Sequence, residues 1–131
     1  MIAAVGTLAG VFLVDVEAEE LLGDGTEVPA AERPEVALPR VVAAASSGST
    51  VVAVVERRPP LMLSNDRGVT WREAGGGLPP GFAVAVAEDE PDRMLYAARN
   101  RLYVSTNGGV FWRSVSLPVE LPDIDSVAWI D

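Results

Sequence analysis

The sequence predicts an all-β chain, and three observations carry that reading. Short apolar runs recur between Gly, Pro, Ser, Asn and Asp, helical periodicity is scarce, and an octet beginning at Ser64 returns at Ser105. Brief apolar runs at regular spacing between turn formers are the pattern of strands in an all-β domain. At 131 residues the chain suits one domain with an ordinary core that needs no disulfide or metal to hold it.

In chain order, Ile2–Val5 and Val11–Val14 read as two strands around a Gly/Thr turn. The opening stretch MIAAVGTLAGVFLV is uncharged, but no basic residue precedes its apolar run and no clear A-x-A site follows, so strands are preferred to a secretory signal. The run is also too short to span a bilayer. Residues 15–35 hold eight acidic side chains (Asp15, Glu17, Glu19, Glu20, Asp24, Glu27, Glu32, Glu35) against Arg33 alone. Glu17–Leu22 has the pattern of one helical turn. The rest is punctuated by Pro and Gly and reads as a solvated linker or a frayed outer strand rather than a cation site. The remaining strands are expected at Val41–Ala45, Val51–Val55, Leu61–Leu63, Phe82–Ala87, Met94–Ala98, Leu102–Val104 and Ser126–Ile130. Val-Val-Ala-Val-Val and Phe-Ala-Val-Ala-Val-Ala are apolar on both faces, as strands between two packed layers are. Their many Ala residues predict sheets in close approach.

Composition removes much of enzymology. Ten Arg face nineteen Asp and Glu, with no His, Cys or Lys, for a formal charge of −9. A Ser-His-Asp triad is impossible within the chain, as are a thiol nucleophile and a Cys-ligated metal site. No Lys is present for a Schiff base or a phosphate loop. The acidic balance opposes nucleic-acid binding, which needs a basic footprint. Neither a cofactor nor a metal site is expected, and no membrane span.

The octets SNDRGVTW (64–71) and STNGGVFW (105–112) lie 41 residues apart and share Ser64/Ser105, Gly68/Gly109, Val69/Val110 and Trp71/Trp112, with Asp66 aligned to Asn107. An apolar triplet precedes each, an Arg follows each Trp, and a Leu-Pro lies further on. Such repetition marks repeated supersecondary units. The octet has the chemistry of a hairpin turn. A short Asp or Asn accepts backbone amides, a following Gly takes positive φ, and the Trp folds back over the turn as an apolar anchor.

The octet resembles the Asp-box, S-x-D-x-G-x-T-W, the bacterial neuraminidase repeat. Ser64, Asp66, Gly68, Thr70 and Trp71 match every defined position. Ser105, Asn107, Gly109 and Trp112 belong to a degenerate copy, with Phe111 where Thr is usual. The resemblance implies β-propeller blades of four antiparallel strands with the box between third and fourth strands, as in sialidases, sortilin-type receptors and photosystem assembly factors. Laid on this chain it implies three four-stranded blades, about 1–45, 46–87 and 88–131, with fourth strands within 19–30, at Val69–Glu73 and at Val110–Val115. The order opens at a second strand and ends at a first strand. Closed propellers use about four to eight blades, so two copies are expected to complete a six-bladed ring as a homodimer. Ser126–Ile130 of one chain would then lie beside Ile2–Val5 of its partner, and Trp129 at the closure seam.

Function is less legible. The sialidase comparison implies three Arg, one in an R-I-P motif, with a Tyr/Glu pair and an Asp. No R-I-P occurs here, and Tyr96 and Tyr103 fall in apolar runs where packing is the better reading. The acidic groups Glu88-Asp89-Glu90 with Asp92, and Asp123 with Asp125, match no calcium-loop spacing and read as turns. Gly75-Gly76-Gly77 lacks the Lys-Ser/Thr of a phosphate loop and reads as an inter-blade connection. The expectation is therefore a non-enzymatic binding or scaffold module with structural boxes and a protein or carbohydrate ligand. The alternatives are part of a sialidase-like glycoside hydrolase or a small propeller lectin, in which an aromatic such as Trp129 would stack on sugar.

Overall fold

The computed structural model describes residues 1–31 and 33–130. Twelve strands form three four-stranded antiparallel sheets. Sheet II contains β4 (Val41–Ser47), β5 (Thr50–Val55), β6 (Leu61–Ser64) and β7 (Arg72–Ala74) in chain order. Sheet III repeats the plan with β8 (Gly81–Val86), β9 (Met94–Ala98), β10 (Leu102–Ser105) and β11 (Arg113–Ser114). Sheet I joins the two ends of the sequence. β1 (Ile2–Thr7), β2 (Gly10–Asp15) and β3 (Glu20–Gly25) follow β12 (Ile124–Trp129), which pairs with β1 in the register Ala3↔Trp129 and Val5↔Val127. Blade limits accordingly follow this offset and not an even division into 1–45, 46–87 and 88–131, because β4 belongs with β5.

The sheets stack face to face with III in the middle. Val5, Val14, Ile124 and Val127 of sheet I meet Ala83, Ala85, Leu95, Ala97, Leu102 and Val104 of sheet III. On its other face, Val84, Met94 and Tyr96 of sheet III meet Ala45, Val52, Val54, Leu61 and Leu63 of sheet II. Both faces of sheet III are therefore buried, which is why β8 and β9 are apolar on both sides. Strand β8 borders both β12 and β4, and its alternating Ala residues keep that approach short.

Several expectations change. The fourth strands start later than predicted, at Arg72 and Arg113, because the octets occupy Val69–Trp71 and Val110–Trp112; Val69, Val110 and Phe111 are exposed. Glu17–Leu22 is not a helical turn, since a tight turn leads into β3 at Glu20. Asp15 Oδ1 satisfies that turn by accepting from the amides of Glu17 and Ala18. The pairing of β12 with β1 is made within one chain rather than between partners. The outer face of sheet II is also not open. Val36 and Leu38, from residues 26–40, lie with Trp71 against Ala53, Val55 and Met62. Glu32, one of the eight acidic residues of 15–35, lies outside the described residues.

Tyr96 shows how tightly sheets II and III meet. It is wholly buried, and its hydroxyl donates to the Pro79 carbonyl at 2.6 Å. Burial, with Tyr103 beside it, raises its pKa well above the usual phenol value. The ring occupies the space where a side chain at position 81 would stand, since a Cβ on Gly81 would lie 2.3 Å from the tyrosine ring. Gly76, by contrast, has open space around its Cα. Gly81→Ala should therefore cost about 1–3 kcal/mol through overpacking, while Gly76→Ala should leave stability within about 0.5 kcal/mol, as at other open surface sites. Urea denaturation of the two variants checks this, with the ordering between them as the decisive result.

Candidate functional site

The two octets fold into the same turn at the same place in sheets II and III. In the first, the Ser64 hydroxyl donates to Asp66 Oδ1 at 2.7 Å and accepts the Gly68 amide at 2.8 Å. Asp66 Oδ1 also accepts the Thr70 amide at 2.9 Å, and Oδ2 accepts the Thr70 hydroxyl at 2.5 Å. Trp71 closes the turn by donating Nε1–H to the Gly68 carbonyl at 3.0 Å. Gly68 has a φ of 87°, a left-handed conformation that costs Gly nothing.

The second octet keeps this network less one bond. Ser105 donates to Asn107 Oδ1 at 3.0 Å, the Gly109 amide donates to Ser105 at 2.9 Å, and the Phe111 amide donates to Asn107 Oδ1 at 3.0 Å. Trp112 Nε1 reaches the Gly109 carbonyl at 3.1 Å. The missing bond explains both departures in sequence. In the first octet the second carboxylate oxygen takes only the Thr70 hydroxyl. With Phe at 111 no hydroxyl is there to accept, so a single amide oxygen suffices, and Asn replaces Asp without leaving a donor unsatisfied.

These bonds polarise Asp66. The Thr70 hydroxyl, then the Ser64 hydroxyl and the Thr70 amide, hold its carboxyl at about 2 against an ordinary 3.8. The two Trp have matching jobs. Trp71 covers the outer face of sheet II. Trp112 lies at the II–III junction with its ring 6.0 Å from that of Tyr96.

The other candidate residues are scattered. Trp129 lies on the closing strand, as the sequence placed it, but packs onto the core between sheets I and III. The Arg93 guanidinium sits 4.6 Å above its ring, an arrangement that occupies the face a sugar would need. The acidic loop 88–92 is used as a turn: Glu88 O accepts Ser47 Oγ, and Asp92 O accepts the Gly108 amide. Asp123 pairs with Arg99 at 3.1 Å. Among the described residues no group of three or more acidic side chains gathers into a metal-holding cluster, and no helix is long and apolar enough to cross a membrane.

What the sequence reading missed is a pair of turns. Arg58 and Arg99 stand 41 residues apart, the spacing of the octets themselves. They occupy the corresponding connections β5–β6 and β9–β10. Because neighbouring sheets repeat one plan, equivalent turns emerge side by side, and the two line one cleft together with Arg101. Carrying the repeat out to that offset would have found them.

Three sheets of four antiparallel strands, stacked by their faces and closed by pairing the last strand with the first, make a β-propeller-like protein. No family model and no curated protein matches the chain. Among solved structures it is similar to the crystal structure of the Niastella koreensis GH74 enzyme, with a TM-score of 0.51 and 22% identity. The match covers 92% of this chain and 18% of that one. The likeness is one of fold, and the chain spans under a fifth of the enzyme's length.

Because the folded-state pKa of Asp66 is depressed, its contribution to stability is fully present above about pH 4 and is lost as pH falls through about 2. Asp66→Asn should melt below wild type at pH 6, and the gap should narrow between pH 4 and pH 2. Melting temperatures of both proteins across that range check it. Parallel curves would show that the carboxylate has no such role.

Proposed function

We propose that this chain is a non-enzymatic β-propeller binding or scaffold module whose two octets are structural Asp-box turns. The observation that carries the reading is where the octets spend their polar groups. Both oxygens of Asp66, the single oxygen of Asn107, both Ser hydroxyls and both Trp Nε1–H groups are satisfied inside their own turns. A group with its hydrogen bonds already made has little to offer a substrate. Loss of a box should therefore lower stability and leave ligand affinity in the folded fraction unchanged.

The likeness to a GH74 enzyme favours one second reading, that the chain is a piece of a glycoside hydrolase. Function must be argued from a site rather than a fold, and of the candidate carboxylates Asp123 is paired with Arg99, Asp125 accepts the Ser126 hydroxyl, and Glu88, Asp89, Glu90 and Asp92 stand on an exposed loop. Incubation with a panel of fluorogenic glycosides, sialosides included, separates the two. No turnover is expected; turnover abolished by one carboxylate substitution would establish the hydrolase reading instead.

The proposed assembly is a six-bladed homodimer, in which sheet I of each copy meets the outer face of sheet II in the other. Val36 and Leu38 lie on that face here, so the ring forms only with these two residues displaced. A closed two-fold arrangement uses both end faces and stops at two copies. Light scattering should give the mass of two chains. A monomer at all concentrations would leave the stack sealed by its own segment and overturn the ring.

A further inference from the structure

We propose that the cleft between sheets II and III, on the edge opposite the octets, binds an extended acidic peptide segment of a partner protein. The inference rests on the binding-module reading and names its ligand class. The cleft has a volume of about 1020 Å³ and is formed by the β5–β6, β7–β8 and β9–β10 connections. Three Arg line it, Arg58, Arg99 and Arg101, and no acidic residue does. In a chain with nineteen acidic residues against ten Arg, that local sign reversal marks it off from the surrounding surface.

The three are not equivalent. Arg99 is held by Asp123. Among the described residues the guanidinium groups of Arg58 and Arg101 make no hydrogen bond or ion pair. Two forked donors without partners suit carboxylates, which a guanidinium binds bidentately. The acidic remainder of the protein repels anions at long range, so attraction is confined to the cleft and selects ligands that also fit it.

The rest of the lining says what such a ligand looks like. Phe82 is 47% exposed and stands in the cleft with Tyr103. Pro59, Pro60, Pro79 and Pro80 supply further apolar wall. An acidic oligosaccharide needs many hydroxyl partners, and side-chain hydrogen-bonding groups here are few beyond the Arg residues. A peptide that alternates carboxylate and aliphatic side chains satisfies both halves of the lining, since successive side chains of an extended strand point opposite ways.

The experiment is fluorescence anisotropy of the full chain with a fluorescein-labelled Glu-Leu-Glu-Pro-Glu-Leu peptide. Saturable binding is expected, weakened by salt. Arg58→Ala and Arg101→Ala should each reduce affinity about tenfold, the scale of a lost charge-assisted contact. Arg72→Ala, outside the cleft, should not, and melting temperatures should stay at the wild-type value. The same peptide with Gln for Glu should not bind. The proposal is overturned if the acidic peptide fails to bind, if the Gln peptide binds equally, or if both cleft variants keep wild-type affinity. Binding of an oligogalacturonate in place of the peptide would overturn the peptide assignment. Glycoside turnover, by contrast, would overturn the module reading whatever the anisotropy shows.

Discussion

The antiparallel pairing of Ile124–Trp129 with Ile2–Thr7 is the constraint on which the rest of the structure depends. It supplies sheet I with the strand that borders β8, and with it the buried side chains Ile124 and Val127. Each such side chain is worth roughly 1.5–3 kcal/mol when fully buried. Without that strand β8 and β9 would lose their nearest neighbour in sheet I, and cover of the I-facing side of sheet III would fall to β1 and β2 through residues such as Val5 and Val14. The closing contact joins residues from opposite ends of the sequence, so it carries a large loop-closure cost that the whole stacked core must offset.

The stack is therefore cooperative around sheet III, which has a sheet on either side. The end sheets have only one such neighbour. Sheet II answers this by taking Val36 and Leu38 from residues 26–40 over its outer face, and Val28 of the same segment lies over Gly6 of β1. A segment that reads as a solvated acidic linker thus touches both end sheets. Glu27 and Glu35 are exposed while Val28, Val36 and Leu38 do the packing.

The polar side chains of the octets close within their own turns, while one backbone amide of each, Arg67 N–H to the Ser49 carbonyl and Gly108 N–H to the Asp92 carbonyl, ties the turn to the chain before it. The β5–β6 and β9–β10 turns on the opposite edge carry the unsatisfied charge. The repeat thus separates tasks by edge: one row of turns is chemically closed, and the other exposes Arg58 and Arg101 to solvent. A protein built this way can vary one row with little effect on the other.

The circular offset of strands followed from the resemblance of the octets to a propeller repeat, while strand identity and the turn chemistry of SNDRGVTW and STNGGVFW were legible in the sequence by itself, because each rests on local rules. These are apolar runs, positive-φ glycines, and a short acceptor two residues before Gly68 or Gly109. The fourth-strand limits were misread because Val69 and Val110 look like strand residues, yet the turn needs that length of chain and leaves them exposed. Tertiary structure alone decided three things: that β12 meets β1 of its own chain, that Val36 and Leu38 cover sheet II, and that Arg58 and Arg101 share a cleft. Each brings together segments far apart in sequence; the first two depend on which apolar face has no other cover and the third on which turns emerge side by side, and both are defined only once the sheets are stacked.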